Sequence, residues 1–205
     1  MKPTRRTIRR LGAAVAALAL CLTAWHPAPV EPQTTDLVAQ GRQALDADKV
    51  DQAIAIFEKA VTADPNDPAA LAWFGSAQVR KARSAPLFDR PGWVKKGFNA
   101  LDEAVERFPN AFVVYMVRGI TATQVPDLFR KAPVAVKDLS AVIAMREKNP
   151  AAIPEAAMPS IYFHLGLAYK KNGQPGEARA AWEKGKMLYP SAPETPAIEK
   201  ELRSL

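Results

Sequence analysis

From Leu37 onward, apolar residues recur three and four positions apart in segments of roughly 12 to 20 residues, and no stretch sustains strand alternation. In "DQAIAIFEKAV", residues 51–61, Ala53, Ile54, Phe57, Ala60 and Val61 share one face, whereas Asp51, Gln52, Glu58 and Lys59 lie elsewhere. Such a segment is an amphipathic helix that needs a neighbour to cover its apolar stripe. Pro, Asn-Gly and Asp punctuate the chain between these segments and mark where one helix ends and the next begins. The pattern predicts an all-α chain.

The clearest segment is "YFHLGLAYKKNGQPGEARAAWEKGKMLYP", residues 162–190. Tyr162, Leu165, Gly166 and Tyr169 lie on a first helix, Asn172-Gly173 supplies the turn, Ala178, Trp182 and Gly185 lie on a second helix, and Pro190 stops it. This spacing resembles the tetratricopeptide repeat family, whose units read W-x2-L-G-x2-Y, then A-x3-F, then P. Small residues such as Gly166 and Ala178 let the two helices approach, and the aromatic residues are expected to fill the space between hairpins.

The distance from Gly166 to Pro190, 24 residues, serves as a ruler. Gly41 to Pro65 is also 24, with Ala53, Phe57 and Ala60 where Ala178, Trp182 and Gly185 stand, and Gly75 follows Gly41 by 34, the repeat length of the family. Gly75 to Pro109 spans 34, which gives the second unit about ten extra residues before Gly97, Leu101 and Ala104 restore the register. Gly119 to Pro150 spans 31, about seven extra, with Asp138, Val142 and Met145 set at the second-helix places. The resemblance therefore implies a right-handed α-solenoid of about four tetratricopeptide-like helical hairpins plus a C-terminal capping helix. Its units are 34–67, 68–111 with an insertion, 112–152 with an insertion, and 159–192, and Thr195-Pro196 opens a cap over 195–204.

The net charge of +7 bears on partners only once its location is known. Lys2, Arg5, Arg6, Arg9 and Arg10 hold five of the 28 bases, so beyond residue 10 there are 23 bases against 21 acids, a net of +2. That balance gives no general polyanion-binding field, and no nucleic-acid partner is expected. The arginines precede "LGAAVAALALCLTAW", residues 11–25, which is apolar and uncharged. This order of features reads as a secretory signal with a short linker over residues 1–30, and hence as an exported, periplasmic bacterial protein. "TRRTIR", residues 4–9, resembles the twin-arginine pattern but has Ile8 and Arg9 where that pattern takes Phe and Leu, so the general secretory route ranks first. A retained N-terminal anchor is the alternative. Cys21 follows Leu20, where a lipoprotein box has a small residue; cleavage after Ala24 would leave no cysteine.

The chain contains no phosphate-binding glycine loop, no H-E-x-x-H and no nucleophile elbow, and its two histidines are His26 and His164. No enzymatic activity, metal or cofactor is expected. The resemblance implies a concave groove lined by the first helix of each unit. Candidate partner-binding residues on that face are Arg42, Ser76, Arg80, Met116, Ile120, Gln124, Phe163, Leu167, Lys170 and Lys171, apolar at the centre and basic at the rims. His164 and Trp73 are assigned to packing between helices. The expected function is a non-catalytic protein–protein interaction scaffold of the cell envelope that holds a peptide or partner helix in the groove. The alternative is a periplasmic accessory protein that binds a small amphiphile under the insertions at 82–93 and 125–133. In the first of these, Leu87, Phe88 and Trp93 are expected to tuck under the solenoid, with Arg83 and Arg90 pairing locally with Asp89.

Overall fold

The computed structural model describes residues 33–205, so the secretory segment lies outside the described residues. These residues form nine α-helices and no strand: α1 (Thr34–Asp46), α2 (Val50–Ala63), α3 (Pro68–Lys81), α4 (Arg90–Arg107), α5 (Phe112–Gln124), α6 (Ala132–Lys148), α7 (Met158–Lys171), α8 (Pro175–Leu188) and α9 (Thr195–Arg203). Single 3-10 turns at Asp127–Phe129, Pro150–Ala152 and Glu155–Ala157 occupy the connections. Prolines set the boundaries on both sides. Pro65, Pro109, Pro150 and Pro190 each stand two residues past the end of a second helix, while Pro68, Pro91, Pro133, Pro159, Pro175 and Pro196 sit in first turns, where the missing N–H costs nothing. Asp67 caps α3 by accepting from the backbone N–H groups of Ala69 and Ala70.

Helices pair as α1/α2, α3/α4, α5/α6 and α7/α8, and α9 closes the array against α8 and α7. The first helices α1, α3, α5 and α7 also pack on one another in sequence, whereas the second helices form no comparable row. That asymmetry curves the stack, with the first helices on the inner side, and makes it an α-solenoid.

Within each hairpin, a glycine on the first helix faces a large side chain from the second: Gly41 meets Phe57, Gly75 meets Leu101, Gly119 meets Leu139 and Gly166 meets Trp182. Phe57, Leu101, Leu139 and Trp182 are each 0 % exposed. Phe57 and Trp182 therefore fill the centres of their own hairpins, and the Trp182 Nε1–H donates to the Phe163 carbonyl at 2.9 Å. Phe57 reaches the next unit as well, stacking on Trp73 at 6.5 Å.

The structure corrects the register of the third unit. Ala135, Leu139 and Val142, all 0 % exposed, repeat the spacing of Ala53, Phe57 and Ala60, so the triplet read as Asp138, Val142 and Met145 is one helical turn too late. Gly119 to Leu139 is 20 residues where Gly166 to Trp182 is 16, so four of the seven extra residues precede the triplet and three follow it, as a longer α6. A ruler that ends on a proline cannot see how an insertion divides around the packing residues.

Asp138 is also buried, at 0 % exposure, and its partner explains how. Arg118 of α5 donates to both Asp138 oxygens, at 2.7 and 2.8 Å, and reaches Asp102 of α4 at 2.8 Å. Burial pushes the Asp138 carboxyl up from its ordinary range, and the Arg118 hydrogen bonds oppose that shift. This bidentate contact ties together three helices at the centre of the array.

Candidate functional site

The ten groove residues read from the sequence are distributed over the four first helices, α1, α3, α5 and α7. Ser76, Arg80 and Gln124 come together at one cleft, where the C-terminal halves of α3 and α5 face both insertions. Arg42 is exposed at the first unit, with its guanidinium 5.1 Å from the centre of the Trp73 ring. Met116 and Ile120 are half-buried between the α5 and α7 packing clusters.

The four candidates in α7 are engaged within the chain. Phe163 and Leu167 are half-buried against the cluster of Ala178, Trp182 and Ile198, the last of which α9 supplies. Lys170 donates to Glu201 at 2.8 Å and to the Ser204 hydroxyl at 2.9 Å, holding α9 in place. Lys171 donates to the Val125 carbonyl at 2.9 Å and lies 3.1 Å from Asp127, which fastens the second insertion to α7. Sequence spacing placed these groups on a face without showing that other parts of the chain take up their charge.

The cleft encloses about 170 Å³. Val79 of α3, Val94 of α4, Val125 and Phe129 make its apolar wall. Ser76 and Thr121 hydrogen-bond to each other across α3 and α5 at 2.9 Å. Three arginines, Arg80, Arg83 and Arg90, line the opening, and none of the lining residues is acidic. Arg83 reaches Gln124 Oε1 at 3.4 Å and Arg90 Nε donates to the Ala85 carbonyl at 3.0 Å; neither is paired with Asp89, contrary to the sequence reading. Arg80 lies 4.0 Å from the exposed Asp48, and its Nε is buried without a partner.

The insertions differ from expectation in another way. Only 82–89 of the first is turn and loop, because Arg90–Trp93 forms the start of α4. Leu87 and Phe88 do not tuck under the solenoid: they are 69 % and 95 % exposed. Trp93 is half-buried on the core, as is Phe129 of the second insertion, while Leu128 is exposed.

His164 does pack between helices. Its Nδ1 lies 2.8 Å from the Thr123 hydroxyl, which itself donates to the Ile120 carbonyl at 2.7 Å, so the hydroxyl accepts and Nδ1 carries the proton. Burial lowers its pKa to about 4. Between the ordinary value near 6.5 and this one, the unfolded chain binds a proton that the folded chain refuses, so stability falls as pH falls through that window. Acidifying from pH 7.5 to 5 is expected to lower the unfolding free energy by about 2 kcal/mol through this group. Denaturant melts of the His164→Gln variant should show a correspondingly flatter pH profile; an unchanged slope would assign the sensitivity to other groups. Among the described residues, no three His, Cys, Asp or Glu side chains gather as a metal site. Nor is any described helix long and apolar enough to cross a membrane.

The hairpin geometry has counterparts among known proteins. The Tetratricopeptide repeat model matches residues 42–67 and 159–191, the first and last units. The fold is similar to a thermophilic TPR protein of Thermus thermophilus, with a TM-score of 0.50 and 19 % identity over 84 % of this chain and 100 % of that one. It is also similar to a mutant of MamA, with a TM-score of 0.50 and 25 % identity over 77 % of this chain and 78 % of that one. No curated protein matches.

Proposed function

Because this chain is a tetratricopeptide-repeat protein, a fold whose stacked hairpins serve protein–protein interaction, we propose that it is a non-catalytic scaffold of the bacterial cell envelope that receives a peptide or partner helix on its inner face. The observation that carries this reading is the continuous row α1, α3, α5, α7, on which exposed polar groups such as Arg42 and Gln124 border half-buried apolar ones such as Met116 and Ile120. A rigid surface with apolar and hydrogen-bonding positions at helical intervals suits an extended or helical segment. The arginine-rich N-terminus and the apolar run after it support export.

The test places a photo-crosslinking amino acid at Arg42 and Gln124 on the inner row, and at Lys59, Glu103 and Glu183 on the exposed faces of second helices. In intact cells the inner positions should yield adducts with a discrete protein, and the outer ones should not. Adducts confined to the outer set would refute groove binding. Release of the protein on permeabilising the outer membrane checks the location independently.

A further inference from the structure

The cleft between the two insertions belongs to neither the repeat pattern nor the inner row as a whole, and its chemistry is one-sided. Hydrogen-bond donors surround it: the guanidinium groups of Arg80, Arg83 and Arg90. Acceptors are scarce, because Gln124 Oε1 already faces Arg83 and the Ser76 and Thr121 hydroxyls face each other. The rest of the wall is apolar, and among the described residues the sole carboxylate paired with any of the three arginines is Asp48, at 4.0 Å and 87 % exposed. The Nε of Arg80 is buried without an acceptor in the chain, so the guanidinium is only partly satisfied by its surroundings.

We propose that this cleft is a binding site for a single-chain anionic amphiphile, an alkyl carboxylate whose head meets Arg80, Arg83 and Arg90 and whose chain lies on Val79, Val94 and Phe129. A carboxylate head accepts the forked geometry of a guanidinium. An alkyl chain needs nothing from an apolar wall but contact. A peptide fits less well, since each backbone N–H carried into the cleft needs an acceptor that the lining does not supply. Exposed Leu87, Phe88 and Leu128, on the two insertions that border the cleft, give the part of the chain that projects beyond it further apolar surface. The site shares Ser76, Arg80 and Gln124 with the inner row, but the insertions and α4 supply the rest of its lining, so either function can fail without the other.

Calorimetric titration of the full chain with decanoate, below its micellar concentration, is the direct measurement. One saturable site is expected, with decanol and acetate binding at least about tenfold more weakly because each lacks half of the recognition. Arg80→Gln should weaken decanoate binding about tenfold or more, and the exposed pair Arg83→Gln with Arg90→Gln should do so without touching the core. That double variant keeps the test valid if Arg80→Gln misfolds. Equal binding of decanol, or decanoate affinity unchanged in the double variant, would reduce the site to an apolar hole and overturn the proposal. A further arm uses phosphatidylglycerol vesicles. If vesicles bind and decanoate does not, and Leu87→Ser with Phe88→Ser abolishes the vesicle binding, the insertions dock on a lipid surface and the proposed site is wrong. Saturable binding of a leucine-terminated tripeptide acid in preference to decanoate would overturn it equally.

Discussion

Replacing Arg118 with methionine is expected to lower the unfolding free energy by about 3–5 kcal/mol at neutral pH, because it strands a carboxylate that has no access to water. Asp138 is 0 % exposed, and Arg118 supplies hydrogen bonds to both of its oxygens. Removing the guanidinium leaves burial as the largest influence on the carboxyl, with the Asp102 charge adding to it and Lys137 opposing it, so its pKa moves further in the direction that burial already drives it. The folded variant therefore takes up a proton at Asp138, and its deficit relative to the parent should shrink on acidification from pH 7.5 toward 5. The double substitution Arg118→Met with Asp138→Leu should recover most of the loss, since an apolar pair of similar volume needs no mutual charge compensation. Urea unfolding of the parent, both single variants and the double variant closes the cycle. A loss below about 1 kcal/mol for Arg118→Met would mean that water reaches Asp138 and that the contact behaves as a surface ion pair.

The second large effect is expected where Gly75 and Gly97 bring the backbones of α3 and α4 together. A Cβ on Gly97 would stand 2.5 Å from the Gly75 carbonyl oxygen and 2.7 Å from the Val79 backbone nitrogen. Those are backbone atoms of α3, which cannot rotate aside, so Gly97→Ala must push α3 and α4 apart. A loss of about 3 kcal/mol or more is expected, at the upper end of overpacking, measured as the shift in denaturant midpoint. Gly92, five residues earlier in the same helix, has nothing within 4 Å of its would-be Cβ. There the substitution by Ala should instead stabilise by a few tenths of a kcal/mol to about 1 kcal/mol through helix propensity. If both substitutions proved neutral, the close approach of α3 and α4 would not be a feature of the molecule in solution. Because Val79 and Val94 lie on those two helices and wall the cleft, Gly97→Ala should also deform the cleft between the insertions.

The two substitutions differ in how far the sequence exposes them. Gly97 falls in register with Ala53 and Ala178 at the small-residue place of the second helix, so its need for a small side chain follows from spacing alone. Arg118 and Asp138 are 20 residues apart, on helices separated by an insertion, and no periodicity links them. The extra residues of the third unit hid the pair: with the register counted back from Pro150, Asp138 takes the place of the small residue, whereas Ala135 holds that place in the folded chain. A charged residue at a packing position was the available signal that the count had slipped by a turn.

Helix periodicity, the glycine and proline ruler and the family pattern are local properties, repeated at fixed intervals. Residue order was therefore enough to establish the all-α class, the four hairpins, the cap and the presence of two insertions. Which groups remain available was settled only when the helices packed. Lys170 and Lys171 look like open charges along the chain, yet α9 and the second insertion meet them across separations of 31 and 46 residues. Leu87 and Phe88 look like core and stand in solvent. The cleft draws Ser76, Arg80, Arg90 and Gln124 from three helices, and its charge and apolar wall exist only after α3, α4 and α5 pack. Backbone conformation is set by neighbours a few bonds away, whereas burial and pairing are set by whatever the folded chain brings within reach.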